Sequence, residues 1–418
     1  MNSRLRFIYI ASVLFMAGVD GIGFAGLRQD FPALRNPLFT AGYWLIPLVF
    51  SGILNLFRRR LIRGDGIRSM SGFFEFTGIF LALYVPKLSY DFLVVAEYLV
   101  KAIAYPIWRF LSPGLKFAEF YPAGPLNFIS MLALPVAALA FLVILWGMFR
   151  GRFDYRVRPV EIRSPDLPVE FDGFRIAQIS DLHLGSLRGK QERLRKAVRL
   201  VNRATPDLVL FTGDLVNNVA DEAEGWTDLL AGLKSGSGNY SILGNHDYGE
   251  YYPWTDEESR QENMRQLYRI HRDAGLTLLR NQSVKIERGN GALFLAGVEN
   301  WGLPPFKQYG DLGKALENIP PGSYTILLSH DPSHWEAEVL GKTNVRLTLS
   351  GHTHGMQFGI RTRRFRWSPI QWKYPRWIGL YAEGGQYLYV NPGLGYIGYA
   401  GRIGVPPEIT LITLRRQG

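Results

Sequence analysis

The sequence predicts a chain in two parts, an all-α transmembrane helical domain followed by an α/β domain, and three observations carry that reading. The first 150 residues hold uncharged runs long enough to cross a bilayer, which takes about 20 residues of helix. After Arg158, short β-branched runs alternate with helical patterns such as Lys190 to Ala204. Each of the β-branched runs ends in a cluster of Gly, Asp, Asn and His.

Composition bounds the chemistry. A chain of 418 residues, 47% hydrophobic and 14% aromatic, can bury a sizeable core and suggests about two or three domains. A formal charge of +11 fits nucleic acid, an anionic membrane surface or an acidic substrate, and composition does not choose among them. The chain contains no cysteine. Thiolate metal sites, disulfides and cysteine nucleophiles are therefore excluded, and any metal must be held by His, Asp, Glu or Asn.

Two runs carry no charge, Leu38 to Phe57 and Pro125 to Phe149, and each reads as a span; their glycines and prolines are better tolerated in membrane helices than in soluble ones. Phe7 to Leu27 is apolar except for Asp20, and with no small-residue cleavage site after it, it reads as an uncleaved anchor. Ser71 to Pro86 is a shorter candidate containing Glu75. Phe92 to Trp108 contains Glu97 and Lys101, four apart and so able to pair on one helical face; this suits a helix at the interface or one continuing the third span. The expectation is about four spans, with five as the alternative. Asp20 and Glu75 read as helix-end or interfacial residues, with a role inside the membrane domain as the other reading.

Basic flanks set the expected orientation, because cytoplasmic loops are rich in Lys and Arg. Arg58, Arg59, Arg60, Arg63 and Arg68 mark the second loop as cytoplasmic, and Arg150, Arg152, Arg156 and Arg158 agree. With four spans the C-terminal part shares that side; a fifth would place it outside. The expected domains are 1–150, helical and transmembrane; 151–173, a linker; and 174–418, catalytic, with the loop-like stretch Ser164 to Phe174 leading from the linker into the last.

Five strand-and-loop clusters organise the C-terminal part: FRIAQISDLHLG, PDLVLFTGDLVNN, YSILGNHDYG, YTILLSHDPSHW and VRLTLSGHTHG. Strands alternating with helices imply a parallel or mixed sheet, whose carboxyl strand ends collect the active site. Five of the seven histidines lie at the strand ends in these clusters, His183, His246, His330, His352 and His354, with His334 four residues beyond His330, and with Asp181, Asp214 and Asn245 the five make a nitrogen and oxygen donor set suited to two divalent transition metals. Each cluster alone is weak. Five in order, each directly after a strand, form a specific pattern.

These residues resemble the calcineurin-like metallophosphoesterases, whose motifs run D-x-H, G-D, G-N-H-D, a histidine after a strand, and G-H-x-H. Here they are Asp181 with His183, Gly213 with Asp214, Gly244 to Asp247, His330, and Gly351 to His354. The resemblance covers about Phe174 to Leu414 and implies a layered β-sandwich flanked by helices. A narrower resemblance of the N-terminal part is to membrane-anchored phosphodiesterases and UDP-2,3-diacylglucosamine pyrophosphatases.

The resemblance implies a dinuclear metal centre that neutralises phosphoryl oxygens and supplies a bridging hydroxide at neutral pH. Carried over by motif, one site uses Asp181, His183, Asp214 and His354, and the other Asp214, Asn245, His330 and His352. Asp214 bridges, and His352 and His354 serve different metals, with Gly351 and Gly355 letting the backbone turn between them. His246 is expected to face the substrate rather than a metal, steadying charge or protonating the leaving oxygen, with Asp247 orienting it or else capping its loop. The metals are two divalent ions; Mn, Fe, Zn and Ni all suit the donors. His334 reads as a helix-start or surface residue, and His271 as a helix residue near a C-terminus.

Beyond the last ligand, residues 355–379 carry Arg361, Arg363, Arg364, Arg366, Lys373 and Arg376 with Trp367, Trp372 and Trp377 and no acidic residue. This suits a membrane interface, a solvated loop or nucleic acid, with nucleic acid the least favoured. The partners expected are the lipid bilayer and a phosphoester substrate, including lipid-linked ones. The function expected is a membrane-bound metal-dependent phosphoester hydrolase acting on phosphodiester or pyrophosphate bonds of lipid- or nucleotide-linked substrates. The alternative is a catalytically silent metal-binding scaffold of the same fold, which would have lost ligands; none is lost. A transporter regulated by the C-terminal part fits poorly with so few polar residues in the spans.

Overall fold

The computed structural model describes residues 2–63, 70–111, 114, 128–362 and 364–417. Arg68, Arg363, Gly418 and the start of the run from Pro125 lie outside the described residues. Two compact units form, one from 1–66 and 75–146 and the other from 67–74 and 147–418.

The first unit contains α1 (Asn2–Asp30), α2 (Pro37–Arg63), α3 (Met70–Leu111) and α4 (Phe128–Phe149). All four are long and apolar enough to cross a membrane. Prolines 47, 86, 106 and 135 sit inside these helices, where neighbouring helices in a membrane can satisfy the backbone groups they free. The Phe92 to Trp108 run is the continuation of the third span within one 42-residue helix. No Gly or Pro interrupts Lys87 to Asp91, so nothing ends the helix there. At 1.5 Å per residue α3 is about 63 Å long, roughly twice the hydrocarbon thickness. Glu97 and Lys101 pair at 2.7 Å, both buried.

Asp20 departs from its helix-end reading. It lies fully buried in the body of α1, where it accepts a hydrogen bond from the Tyr84 hydroxyl at 2.8 Å and pairs with the Lys87 ammonium, both on α3. A lone carboxylate is costly in a membrane, and only a neighbouring helix could supply these partners, 64 and 67 residues away. Glu75 sits in the second turn of α3, near its start.

The second unit is built on two six-stranded sheets. One runs β1 (Arg156–Ser164), β14 (Glu408–Arg416), β2 (Arg175–Ile179), β3 (Leu208–Phe211), β4 (Asn239–Ser241), β5 (Thr277–Leu278). The other runs β12 (Gly379–Glu383), β13 (Gln386–Val390), β9 (Val345–Ser350), β8 (Thr325–Leu328), β7 (Gly291–Gly297), β6 (Gln282–Arg288). A small hairpin, β10 (Ile360–Arg361) with β11 (Arg366–Trp367), stands apart from both.

Alternation along the strands makes the layers. Ile176, Leu208 and Leu210 of the first sheet share a core with Leu295, Ile326, Leu347 and Leu349 of the second. Their neighbours Ala177, Val209 and Phe211 point the other way, onto α5 (Gln191–Arg203), α6 (Thr227–Ala231) and α7 (Glu257–Asp273) through Leu194, Val201, Leu230 and Leu267. The outer face of the second sheet is covered by Leu312, Ala315, Trp335 and Val339. Strands buried on both faces explain the near-continuous apolar runs.

The stretch 151–173, expected to be a linker, contains β1, which pairs in parallel with β14 along its whole length. Its charge-rich composition conceals a strand because it forms the sheet edge, where exposed charged side chains are favoured.

Candidate metal centre

Every proposed ligand lies at or just beyond the carboxyl end of a strand, Asp181 and His183 after β2, Asp214 after β3, Asn245 after β4, His330 after β8, and His352 and His354 after β9. β2, β3 and β4 are mutually parallel, as are β8 and β9, so their loops gather at common ends. Five of these residues hold left-handed backbone conformations: Asp181 (φ 51°), His183 (46°), Asp214 (60°), His352 (70°) and His354 (50°). Non-glycine residues adopt this region at a cost and persist in it where surrounding contacts dictate a site.

Two glycines permit the close approach. A Cβ on Gly244 would stand 2.2 Å from Asp214 Oδ1, and one on Gly351 would stand 2.3 Å from Asp181 Oδ2. Gly351 thus makes room for Asp181, whereas Gly355, at φ 55°, turns the chain.

Asp181, His183, Asp214 and His354 each offer one donor atom within 4.8 Å of the others, and all four are buried. The Nε2 atoms of His183 and His354 face each other at 3.0 Å, and Asp181 Oδ1 lies 3.3 Å from His354 Nε2. Asp214 Oδ2 stands 3.6 Å from His183 Nε2 and 3.2 Å from His330 Nε2. His330 donates from Nδ1 to the Thr212 carbonyl at 2.7 Å, which leaves Nε2 turned to Asp214 without a hydrogen-bond partner. His352 Nδ1 lies 2.8 Å from Asn245 Oδ1, and the His330 and His352 rings are 5.2 Å apart.

Protonation suits metal binding at three of the four ligand histidines; burial works against a charged His330, but Asp214 and Asp181 beside it raise it to about 10, and a cation would have to displace that proton. Burial lowers His183 to about 3 and His352 to about 4, and holds His354 well below its ordinary value, so these imidazoles are neutral and can ligate. Burial works against an ionised Asp214, yet His330 and His246 beside it hold its carboxyl well below the usual range. Burial pushes Asp181 up to about 7, and a cation nearby would reverse that. Neutral imidazoles, carboxylates, a turned-in orphan nitrogen and two imidazole nitrogens in apposition fit a divalent cation.

The calcineurin-like phosphoesterase family matches residues 174–356, and a probable calcineurin-like phosphoesterase transmembrane domain matches residues 5–152. The Bacillus subtilis (strain 168) metallophosphoesterase YkuE is 31% identical over 261 residues, covering 61% of this chain and 83% of YkuE. The chain belongs to the calcineurin-like metallophosphoesterases. A transmembrane protein with metallophosphoesterase domain from Danio rerio is 30% identical over 295 residues, 69% of this chain and 63% of that protein. The Aquifex aeolicus (strain VF5) metallophosphoesterase is 29% identical over 283 residues, 66% of this chain and 99% of that one. The chain spans less than two thirds of the Danio rerio relative and 59% of a Bos taurus protein of the same description. Four candidate spans and a transmembrane-domain match make this metallophosphoesterase a membrane protein.

The metallophosphoesterase places His246 beside the cluster, its ring 4.9 Å from His183 and 4.7 Å from Tyr251. Its Nδ1 donates to the Asn217 carbonyl at 2.6 Å. Asp247, fully buried, accepts four main-chain N–H bonds, from Asp214 and Gly244 at 2.9 Å, Leu215 at 2.8 Å and Val216 at 3.2 Å. These are the contacts of a loop cap, the second of the two readings for that residue.

Sequence reasoning missed several neighbours of the metallophosphoesterase site. Arg402, fully buried, donates to the carbonyls of Gly395 and Pro392 and reaches His354 Nδ1 at 3.5 Å. Tyr374 meets His352 Nε2 at 2.8 Å, and Asp331 Oδ2 lies 3.5 Å from the same nitrogen. The one signal in the sequence is an arginine inside the glycine-rich run GYAGRIG. His334 is buried, not on the surface, bonded to Ser329 at 2.8 Å and Glu338 at 3.0 Å at the start of the turn Trp335–Val339. His271 sits near the C-terminus of α7, as read.

Proposed function

We propose that this protein is a membrane-bound hydrolase of phosphodiester or pyrophosphate bonds, using two divalent metal ions and acting on lipid- or nucleotide-linked substrates. The apposition of His183 Nε2 and His354 Nε2 at 3.0 Å, beside Asp181 and Asp214, carries the reading. Without an ion the two nitrogens share one N–H···N contact, and with the carboxylates of Asp181 and Asp214 beside them a cation can take the place of that proton. Asp181, His183, Asp214 and His354 would hold one ion, and Asp214, Asn245, His330 and His352 the other. Bound there, such ions neutralise phosphoryl oxygens and provide hydroxide at neutral pH.

The remaining steps belong to side chains. Asp214 is oriented by the His246 main-chain N–H, which donates to Oδ1 at 2.9 Å and leaves Oδ2 between His183 and His330. Asp181 is oriented by the His352 N–H at 3.0 Å. With Nδ1 committed to Asn217, His246 presents Nε2 as the nitrogen that can meet substrate, and in its protonated form that atom donates to a leaving oxygen. The experiment is a matched panel of phosphomonoesters, phosphodiesters and nucleotide-diphospholipids offered to the purified metal-loaded chain. Preference for diester or pyrophosphate substrates supports the proposal; activity confined to monoesters refutes it.

A further inference from the structure

The basic, tryptophan-containing segment after the last ligand divides into two classes of side chain. Arg361 is committed internally, paired with the buried Glu408. Arg366 donates to the Ile378 carbonyl at 2.8 Å, and Arg376 pairs with Glu336 and Glu383. Trp377 is buried. Against these stand exposed apolar residues packed into a short length of chain: Met356 (53% exposed), Phe358 (43%), Ile360 (49%), Phe365 (55%) and Trp372 (78%). Arg364 and Lys373 are exposed among them. A run of large apolar side chains turned outward and interspersed with cations is not the surface of a solvated loop.

The root of this segment is tied to a spanning helix. Gly147 to Phe149, the last turn of α4, belongs to the catalytic unit. Arg402 donates its main-chain N–H to the Gly147 carbonyl at 3.1 Å, and Gly147 has no room for a Cβ because Ile403 would lie 2.6 Å from it. Ile403 in turn donates to the Gln357 carbonyl at 2.8 Å and accepts from Gly359 at 3.0 Å, bridging to Phe358. At 22 residues α4 is about 33 Å long, matching the hydrocarbon layer, so its last turn reaches the lipid headgroups. The hairpin β10–β11 is thereby joined, within its own unit, to the last turn of α4 at Gly147.

We infer that Met356, Phe358, Ile360, Phe365 and Trp372, with Arg364 and Lys373, form a docking surface for an anionic lipid bilayer, the same membrane the N-terminal helices span. Apolar side chains enter the acyl boundary, tryptophan occupies the headgroup zone, and the two cations meet lipid phosphates. The strand pair and the Phe358–Trp367 ring contact, centroids 6.3 Å apart, hold the platform in shape. This docking does not depend on the catalytic reading, since it would hold for a silent scaffold as well.

The chain lacks cysteine, so a single probe site can be introduced into the full-length protein. Phe365→Cys, labelled with a polarity-sensitive fluorophore and reconstituted in phosphatidylcholine vesicles containing phosphatidylglycerol, should emit to the blue and be quenched by lipid carrying a nitroxide high on its acyl chain. Glu258→Cys, on the exposed start of α7, is the aqueous reference. Adding Arg364→Glu and Lys373→Glu to the labelled protein should lessen quenching, and undiminished quenching there overturns the anionic assignment. A Phe365 probe that matches the reference in vesicles overturns the proposal. So does one that shifts only on adding oligonucleotide to detergent-solubilised protein, which would make the surface one for nucleic acid. Metal content confirms that each variant is folded.

Discussion

His246 gives its Nδ1 proton to the main-chain carbonyl of Asn217, while the adjacent Asp247 spends both carboxylate oxygens on four backbone N–H groups. The two residues of one motif therefore do different work. His246→Ala should retain metal and lose about 100-fold in turnover, the usual scale for a positioned acid or charge stabiliser. Asp214→Asn should instead lose both metals and all turnover, because a neutral amide cannot bridge two dications. Metal analysis beside steady-state rates separates the two, and a metal-depleted His246→Ala protein would contradict the assignment.

Gly351→Ala places a methyl group 2.0 Å from Ser180 Oγ and 2.3 Å from Asp181 Oδ2. Asp181 must move, and metal affinity should fall by about 10- to 100-fold, as when the support of a ligand is disturbed. Competitive chelator titration measures it; unchanged affinity would show that Asp181 is not a ligand.

Lys87→Met removes the cation paired with the buried Asp20. An uncompensated buried charge costs about 3 to 5 kcal/mol, so thermal unfolding in detergent should begin at lower temperature. Adding Asp20→Asn should recover much of the loss, whereas equal destabilisation in single and double variants would mean that the pair is not what the site needs.

His271 is buried, with Nδ1 2.9 Å from the Ser241 hydroxyl, and burial lowers it to about 4. The unfolded chain takes up its proton near pH 6.5 and the folded chain only near 4. The folded state thus binds fewer protons between these values, and its stability is present above about pH 6.5 and falls toward pH 4, by about 3 kcal/mol from this group. His271→Gln should show a shallower decline in Tm from pH 7 to 5 than the parent protein, and parallel profiles would rule the histidine out.

Sidedness follows from span count. The Arg58 to Arg60 cluster and the Arg150 to Arg158 cluster each favour the cytoplasm, and among the described residues two candidate spans, α3 and α4, lie between them, an even number. A fluorescent reporter fused at the C-terminus should report the cytoplasm. Activity of a phosphatase reporter there would place the catalytic domain on the far face.

The order of the five site motifs and the positions of the spans were legible in the sequence because both are local. A His or Asp that directly follows an apolar strand announces itself as a candidate, and a bilayer demands a contiguous apolar run. Single residues in that pattern, Asp181, Asp214 and His330 among them, therefore fell where the strand ends put them. Other features depend on partners that only folding supplies. Asp20 reads from sequence as a helix-end or interfacial residue or as one with a role inside the membrane domain, and its ammonium partner 67 residues away decides; Arg361 reads as one cation of a segment suited to membrane, solvated loop or nucleic acid, and Glu408, 47 residues away, takes it inward. Arg402 and Tyr374 reach the site from loops with no motif of their own. The strand β1 is hidden by its charges, and Glu97 with Lys101 leaves Phe92 to Trp108 open between an interfacial helix and a continuation of the third span until the helix itself is seen to pair them. Burial of charge is decided by what packs against it, and that is a property of the tertiary structure rather than of any stretch of chain.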